Sequence, residues 1–144
     1  MFDPAAVSSA FTDATINVLE TMFFTSVTGD STAADGRSAL GAEVRFRGTT
    51  HGSMALSLPE ESARNMAHAF LGVEPDEPLP PERVQEMVCE LANMICGCAL
   101  SHLGKGAAFD LHVAEAPALD TTTSGWRFLN LEDGVLAVRH TVGD

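Results

Sequence analysis

Basic residues are scarce in this 144-residue chain: 8 Lys and Arg stand against 20 Asp and Glu, a formal net charge of −12 with histidine neutral. Binding a polynucleotide requires a basic stripe that displaces condensed counterions. No stretch supplies one, so nucleic acid is excluded as a partner. Long apolar runs are lacking too. None reaches the roughly 18 residues a membrane-spanning helix needs, and the opening Met1-Phe2-Asp3-Pro4 has no basic segment of the kind that begins a secretory signal. No membrane partner and a cytoplasmic address are therefore expected. Cysteine is limited to Cys89, Cys96 and Cys98. An odd set crowded into one helical stretch makes a poor disulfide framework and agrees with a reducing compartment.

Apolar material, by contrast, is ample. Hydrophobic residues make up 45% of the chain and charged residues 19%, and a chain of this length buries about 68–70% of its extended surface on folding. A single globular domain over residues 1–144 is expected. Asp3 before Pro4 is an N-cap with proline at the first helical position, and Val7, Phe11, Ala14, Val18 and Met22 follow at helical spacing, which predicts a helix over residues 3–24. Residues 28–37 gather Gly29, Asp30, Ser31, Asp35 and Gly36 and read as a loop, with a short strand before it. Alternation over residues 42–47 and 52–58 predicts two strands joined as a hairpin. Pro59, Glu60 and Glu61 open a second helix that Gly72 closes. A stiff connector with Pro75, Pro78, Pro80 and Pro81 leads to a long helix over residues 82–103, then a strand over 107–115 and a hairpin around Asp133-Gly134. Helix, strands, connector, helix, strands is a weak echo of one unit used twice, and the class is α+β with an antiparallel sheet.

The long helix carries the chemistry. At about 100° per residue, Val84, Met87, Val88, Leu91, Ile95, Cys98 and His102 fall on one side, the expected core face. Glu86, Glu90, Asn93 and Gly97 fall opposite. Mid-helix Asn costs several tenths of a kcal/mol and Gly about 1 kcal/mol relative to Ala, and here the two lie one turn apart. A missing side chain one turn beyond an amide would let another surface approach the asparagine closely. A solvated face with two suboptimal residues is the plainer alternative.

The segment Glu90-Leu91-Ala92-Asn93-Met94-Ile95-Cys96-Gly97 resembles the Glu-x-x-Asn helix of the CheC/CheX/FliY phosphatases, which dephosphorylate the chemotaxis response regulator CheY. Val18-Leu19-Glu20-Thr21-Met22-Phe23 and Phe46-Arg47-Gly48 through Gly52-Ser53-Met54-Ala55-Leu56-Ser57 agree in order and spacing, so the resemblance covers nearly the whole chain. The family pattern has Asp or Ser four residues before the Glu, where this chain has Glu86, and a later proline. Here Pro117 follows Asn93 after 23 intervening residues, one more than the pattern. CheC-type members carry a second site on the first helix. The matching stretch here reads Asp13, Asn17, Glu20 with amide and carboxylate reversed, so one site is counted, which is similar to CheX.

The resemblance implies a CheC-like fold: an antiparallel sheet with two long helices and one shorter helix packed on it, forming homodimers through the sheets. It implies a phosphatase acting on the aspartyl phosphate of a CheY-like response regulator in chemotaxis or related two-component signalling. Asn93 would orient the attacking water, a task suited to an amide because it both donates and accepts hydrogen bonds without titrating. Glu90 would pair with the regulator's active-site lysine, with Glu86 and Gly97 as further partner contacts. The Mg2+ ion would be held by the regulator, so no cofactor or metal ligand of the chain's own is expected. A non-catalytic adaptor that binds a regulator, or dimerises, without turnover is the alternative. Cys96-x-Cys98 with His102 offers a zinc pattern, but the wheel separates Cys96 from the other two and favours small buried residues. His51, His68, His112 and His140 form no triad and are expected as surface or strand-packing residues. The methionines, including Met22, Met66, Met87 and Met94, are expected to fill the core.

Overall fold

The computed structural model describes residues 3–36, 38–104, 108–116 and 119–143. Helix α1 (Pro4–Met22) starts where its cap requires, with the Asp3 carboxylate accepting from the Ala6 N–H at 3.0 Å. It stops short of residue 24, because Phe24 takes the left-handed φ of 53° and breaks the helix. The short strand falls inside the predicted loop rather than before it: β1 (Gly29–Ser31) pairs with a strand 100 residues away, where Asn130 Nδ2 donates to the Asp30 carbonyl. Strands β2 (Ala39–Arg47) and β3 (His51–Pro59) form the expected hairpin. The shorter helix α2 (Glu60–Leu71), the long helix α3 (Pro81–Leu103), and strands β4 (Asp110–Glu115), β5 (Arg127–Asn130) and β6 (Val135–Val142) complete the chain. The strand expected over residues 107–115 starts later, at Asp110: residue 107 lies outside the described residues, and Ala108 and Phe109 are not part of the strand.

The six strands make one antiparallel sheet in the order β1-β5-β6-β3-β2-β4. Exchanging β1, β2, β3 for β4, β5, β6 reads the same order backwards, so the weak repeat in the sequence is a two-fold arrangement about the β3–β6 pair. Each half lends its first strand to the other half's hairpin. One face of the sheet carries the helices. Ala42, Val44 and Phe46, then Met54, Leu56 and Leu58, then Leu136 and Val138 point into a core shared with Phe11, Leu19, Phe23, Leu91 and Ile95. Among the described residues no helix is long and apolar enough to cross a membrane.

The buried side of α3 departs from the wheel in its second half. Val84, Met87, Val88, Leu91 and Ile95 are buried as expected, but the stripe continues through Ala92, Cys96, Ala99 and Leu100, while Cys98 is half-buried and His102 exposed. A wheel assumes one flat partner. This helix lies against α1, α2 and a twisted sheet, so its buried arc turns along its length. Met22 also departs from expectation, being 42% exposed at the end of α1, whereas Met54, Met66 and Met87 are core residues.

His68 lies in the interior of α2 rather than on a strand or the surface. Its Nδ1 is 2.8 Å from the Arg64 carbonyl oxygen and its Nε2 2.6 Å from the Glu77 carbonyl oxygen. Both partners can only accept, so the ring satisfies both only as the doubly protonated cation. Those two carbonyls raise its pKa above the usual 6.5, opposed by burial and by the Arg64 charge. The ring thereby ties the proline-rich connector to the end of α2, where Gly72, at φ 68°, closes a Schellman turn with Val73 N–H donating to the His68 carbonyl at 3.0 Å.

Because the folded pKa is raised, the contribution of His68 is complete below the unfolded value near 6.5 and disappears as pH rises through the folded value. The melting temperature of the protein should therefore exceed that of His68→Leu by more at about pH 5.5 than at about pH 9. A pH-independent difference between the two would show that the ring is not charged.

Candidate functional site

Three rows of side chains set the rotation of α3. Val84, Met87, Val88, Leu91 and Ile95 face the core. Gln85 and Cys89 form a second row: the Gln85 Nε2 donates to the Gly41 carbonyl of β2 at 3.0 Å and reaches the Cys89 sulfur at 3.7 Å. Burial holds the Cys89 thiol above its ordinary pKa, so it is a packed thiol rather than a nucleophile. The residue after each of these two, Glu86 and Glu90, is turned a further 100° or so away, into solvent. Asn93 and Gly97 continue the same side and are half-buried.

Glu86, Glu90, Asn93 and Gly97 thus share one outward face, as the helical phase predicts. The Cβ atoms of Glu90 and Asn93 lie about 5–6 Å apart by helix geometry. Among the described residues no hydrogen bond or ion pair engages the side chains of Glu86, Glu90 or Asn93. Their polar atoms are therefore available to an outside group, with no partner among the described residues to be displaced first.

Gly97 stands apart from the strand glycines. A Cβ at Gly41 would lie 2.6 Å from the Ala116 carbonyl oxygen, and one at Gly52 would collide with the Thr141 carbonyl. Those glycines are required by close backbone packing. A Cβ at Gly97 meets nothing within 4 Å. No contact within the described chain explains a residue that costs its helix about 1 kcal/mol relative to Ala.

The sequence pattern did not reveal a small cavity beside this face, about 220 Å³, lined by Phe70 and Leu71 at the end of α2 and by Arg83, Glu86, Met87 and Glu90 of α3. The two sets of lining residues are separated by the proline connector, and no local spacing signals that they meet. A larger cavity of about 610 Å³ lies by the β2–β3 turn, lined by Arg45, Arg47, His51, Asp110 and His112 among others, and shares no residue with the α3 face. Pro117 lies outside the described residues. On α1, Asp13, Asn17 and Glu20 are exposed, and Asp13 accepts from the Ser9 hydroxyl at 3.4 Å.

The cysteine and histidine pattern on α3 does not assemble a site. Cys96 is fully buried and its thiol is pushed up to about 12 by desolvation, while His102 projects into solvent. Among the described residues no three His, Cys, Asp or Glu side chains are grouped to hold a metal ion.

Comparison with known proteins bears on the segment that carries this face. The family described as chemotaxis phosphatase CheX matches residues 40–117. No curated protein matches the sequence. In fold, the chain is similar to a Desulfovibrio desulfuricans chemotaxis protein CheX, at 21% identity and a TM-score of 0.74 over 94% of this chain and 98% of that one. It is similar to the CheX–CheY–BeF3–Mg2+ complex of Borrelia burgdorferi, at 21% identity and a TM-score of 0.72 over all of both chains. A CheC-like superfamily protein from a Shewanella species gives 19% identity and a TM-score of 0.71 over 99% of this chain and 100% of that one.

If Gly97 is kept for something outside the chain, filling it with a methyl group should help the fold. Gly97→Ala should raise the melting temperature by about 3 °C, the equivalent of about 1 kcal/mol in a domain of this size. A lower melting temperature, read by circular dichroism, would mean that the fold itself requires the glycine.

Proposed function

The chain belongs to the CheX family of chemotaxis phosphatases, and on that premise we propose that it hydrolyses the aspartyl phosphate of a CheY-like response regulator through the Glu90/Asn93 face of α3. The observation that carries this reading is an outward carboxylate and amide one turn apart, without hydrogen-bond or ion-pair partners among the described residues, beside an unfilled glycine position, within the segment that matches the family.

Hydrolysis of an aspartyl phosphate is an in-line displacement in which the oxygen of water attacks phosphorus as the bond to the carboxyl oxygen breaks. Inorganic phosphate leaves and the carboxylate is restored. Such a step depends mainly on positioning and charge neutralisation. Asn93 supplies positioning: its carbonyl oxygen accepts from the water while its NH2 donates to a neighbouring oxygen, and neither group changes protonation near neutral pH. Glu90 supplies attachment, its carboxylate pairing with the ammonium of the regulator's lysine. Glu86, one turn earlier, extends the acidic contact, and Gly97 lets the regulator's backbone come close to Asn93. In this reading the Mg2+ ion that neutralises the phosphoryl oxygens belongs to the regulator, and this chain provides no ligand to it.

The active unit is proposed to be a cytoplasmic homodimer joined through the sheet. Strand β4 supports this, because it lies at the edge of the sheet with Val113 36% exposed.

Asn93→Ala should bind a phosphorylated CheY-like receiver domain as the parent does but lose acceleration of phosphate release by about 100-fold or more, with a melting temperature no lower than the parent's, since Ala is the better helix former. Full turnover in this variant would sink the mechanism. Gly97→Leu should stay folded, since a Cβ at this position meets nothing within 4 Å, and should lose binding and turnover together. Binding by the parent protein without any phosphate release would identify an adaptor instead.

A further inference from the structure

We infer that the cavity between α2 and α3 is a second recognition point for the regulator and receives one apolar side chain of the receiver domain, taken from the surface that flanks its phosphorylated aspartate. The inference rests on the function proposed above.

Size decides what kind of occupant fits. The cavity holds about 220 Å³, below the roughly 300–1,000 Å³ of sites for small organic ligands and enough for one aliphatic or aromatic side chain. Its floor is apolar, made by Phe70, Leu71 and Met87, and its rim is charged, made by Arg83, Glu86 and Glu90. An apolar pocket ringed by polar groups that keep water out is the arrangement found where a partner's anchoring side chain inserts.

The floor is also rigid before anything binds. The Phe70 ring stacks on Phe23 with centroids 4.6 Å apart and planes 17° from parallel. Directly behind Leu71 the chain is locked by the left-handed Gly72 and by the His68 ring, which holds the Glu77 carbonyl of the connector. A pocket that is already formed adds little ordering cost to association.

Continuity with the Glu90 contact identifies the occupant. Glu90 lines this cavity and also carries the carboxylate proposed to meet the regulator's lysine. Glu86 lies about 6 Å along the helix axis from it. A protein surface of the usual size, about 800 Å² per partner, extends well beyond one helical turn, so a partner seated on Glu90 and Asn93 spans the opening beside them. The side chain that covers it therefore comes from the same receiver domain, adjoining the acidic pocket that holds the phosphoryl group.

Two variants of the full-length protein test this with a phosphorylated CheY-like receiver domain as probe. Leu71→Trp fills the cavity from its floor, and Leu71→Ser removes apolar floor without adding bulk. Both should raise KM by about 10-fold or more while leaving kcat at saturation within about 3-fold, the opposite of Asn93→Ala, which should lose kcat. Circular dichroism and melting curves identify which variants are folded, and either folded variant suffices. An unchanged KM in a folded Leu71 variant, with Asn93→Ala inactive, overturns the inference and leaves the proposed function standing. A changed sedimentation profile with unchanged KM would assign the cavity to a second copy of this chain and overturns it equally. If the parent protein neither binds nor dephosphorylates the receiver domain, both readings fall.

Discussion

The antiparallel ladder between β3 and β6 holds the rest of the molecule in place. It runs from Gly52 opposite Val142 to Ser57 opposite Ala137 and, among the described residues, is the only direct pairing between the two central hairpins. Everything outward follows from it in pairs: β2 and β5 beside the central strands, β4 and β1 at the edges. The two long helices pack against each other, with α3 laid over β2 and β4. Met54, Leu56, Leu136 and Val138 on the covered face of those strands give the helices a common floor. Gly52 is a glycine because the Thr141 backbone and the Phe46 ring crowd the place a Cβ would take.

Much of this was legible in the sequence, and the boundaries of that legibility are physical. The β2–β3 hairpin was readable because Ala42 to Arg47 alternates against a half-buried sheet, and α1 because Asp3 and Pro4 are local signals that act within one turn. Strand β1 was not. Gly29, Asp30 and Ser31 have no strand preference of their own, and the pairing is imposed by β5, where Arg127 reaches Asp30 at 3.3 Å and Asn130 bonds the Asp30 carbonyl. The burial of His68 is invisible in the sequence for a similar reason: its second acceptor, the Glu77 carbonyl, belongs to the connector and leaves no mark in the pattern of α2.

The candidate site shows the same division within a single helix. The outward placement of Glu86, Glu90, Asn93 and Gly97 follows from helical phase alone, and it survives although the buried arc turns toward Cys96 and Leu100 further along. The role of Glu90 and Asn93 came from resemblance and not from spacing, since an unengaged carboxylate and amide can equally be solvated surface. The cavity shared by Phe70, Leu71 and Glu90 is a tertiary feature, formed where the end of α2 returns to the start of α3. Rigid presentation is what the fold adds: Gln85 anchors α3 to β2 one residue before Glu86, so the working face is aimed by a hydrogen bond it does not itself make.

The exchange of outer strands bears on how the chain is made. Asp30 and Asn130 lie 100 positions apart in the chain, and β4 must travel back to β2 across the whole of α3. Loop closure of this kind precedes the contacts that reward it and slows folding. During synthesis at about 5–20 residues per second, the first half can form α1 and the β2–β3 hairpin but has no neighbour for β3 on its other side. Until β6 is available, the edge of β3 that it covers has no hydrogen-bonding partner, so a chain truncated before β6 would present an unpaired central strand.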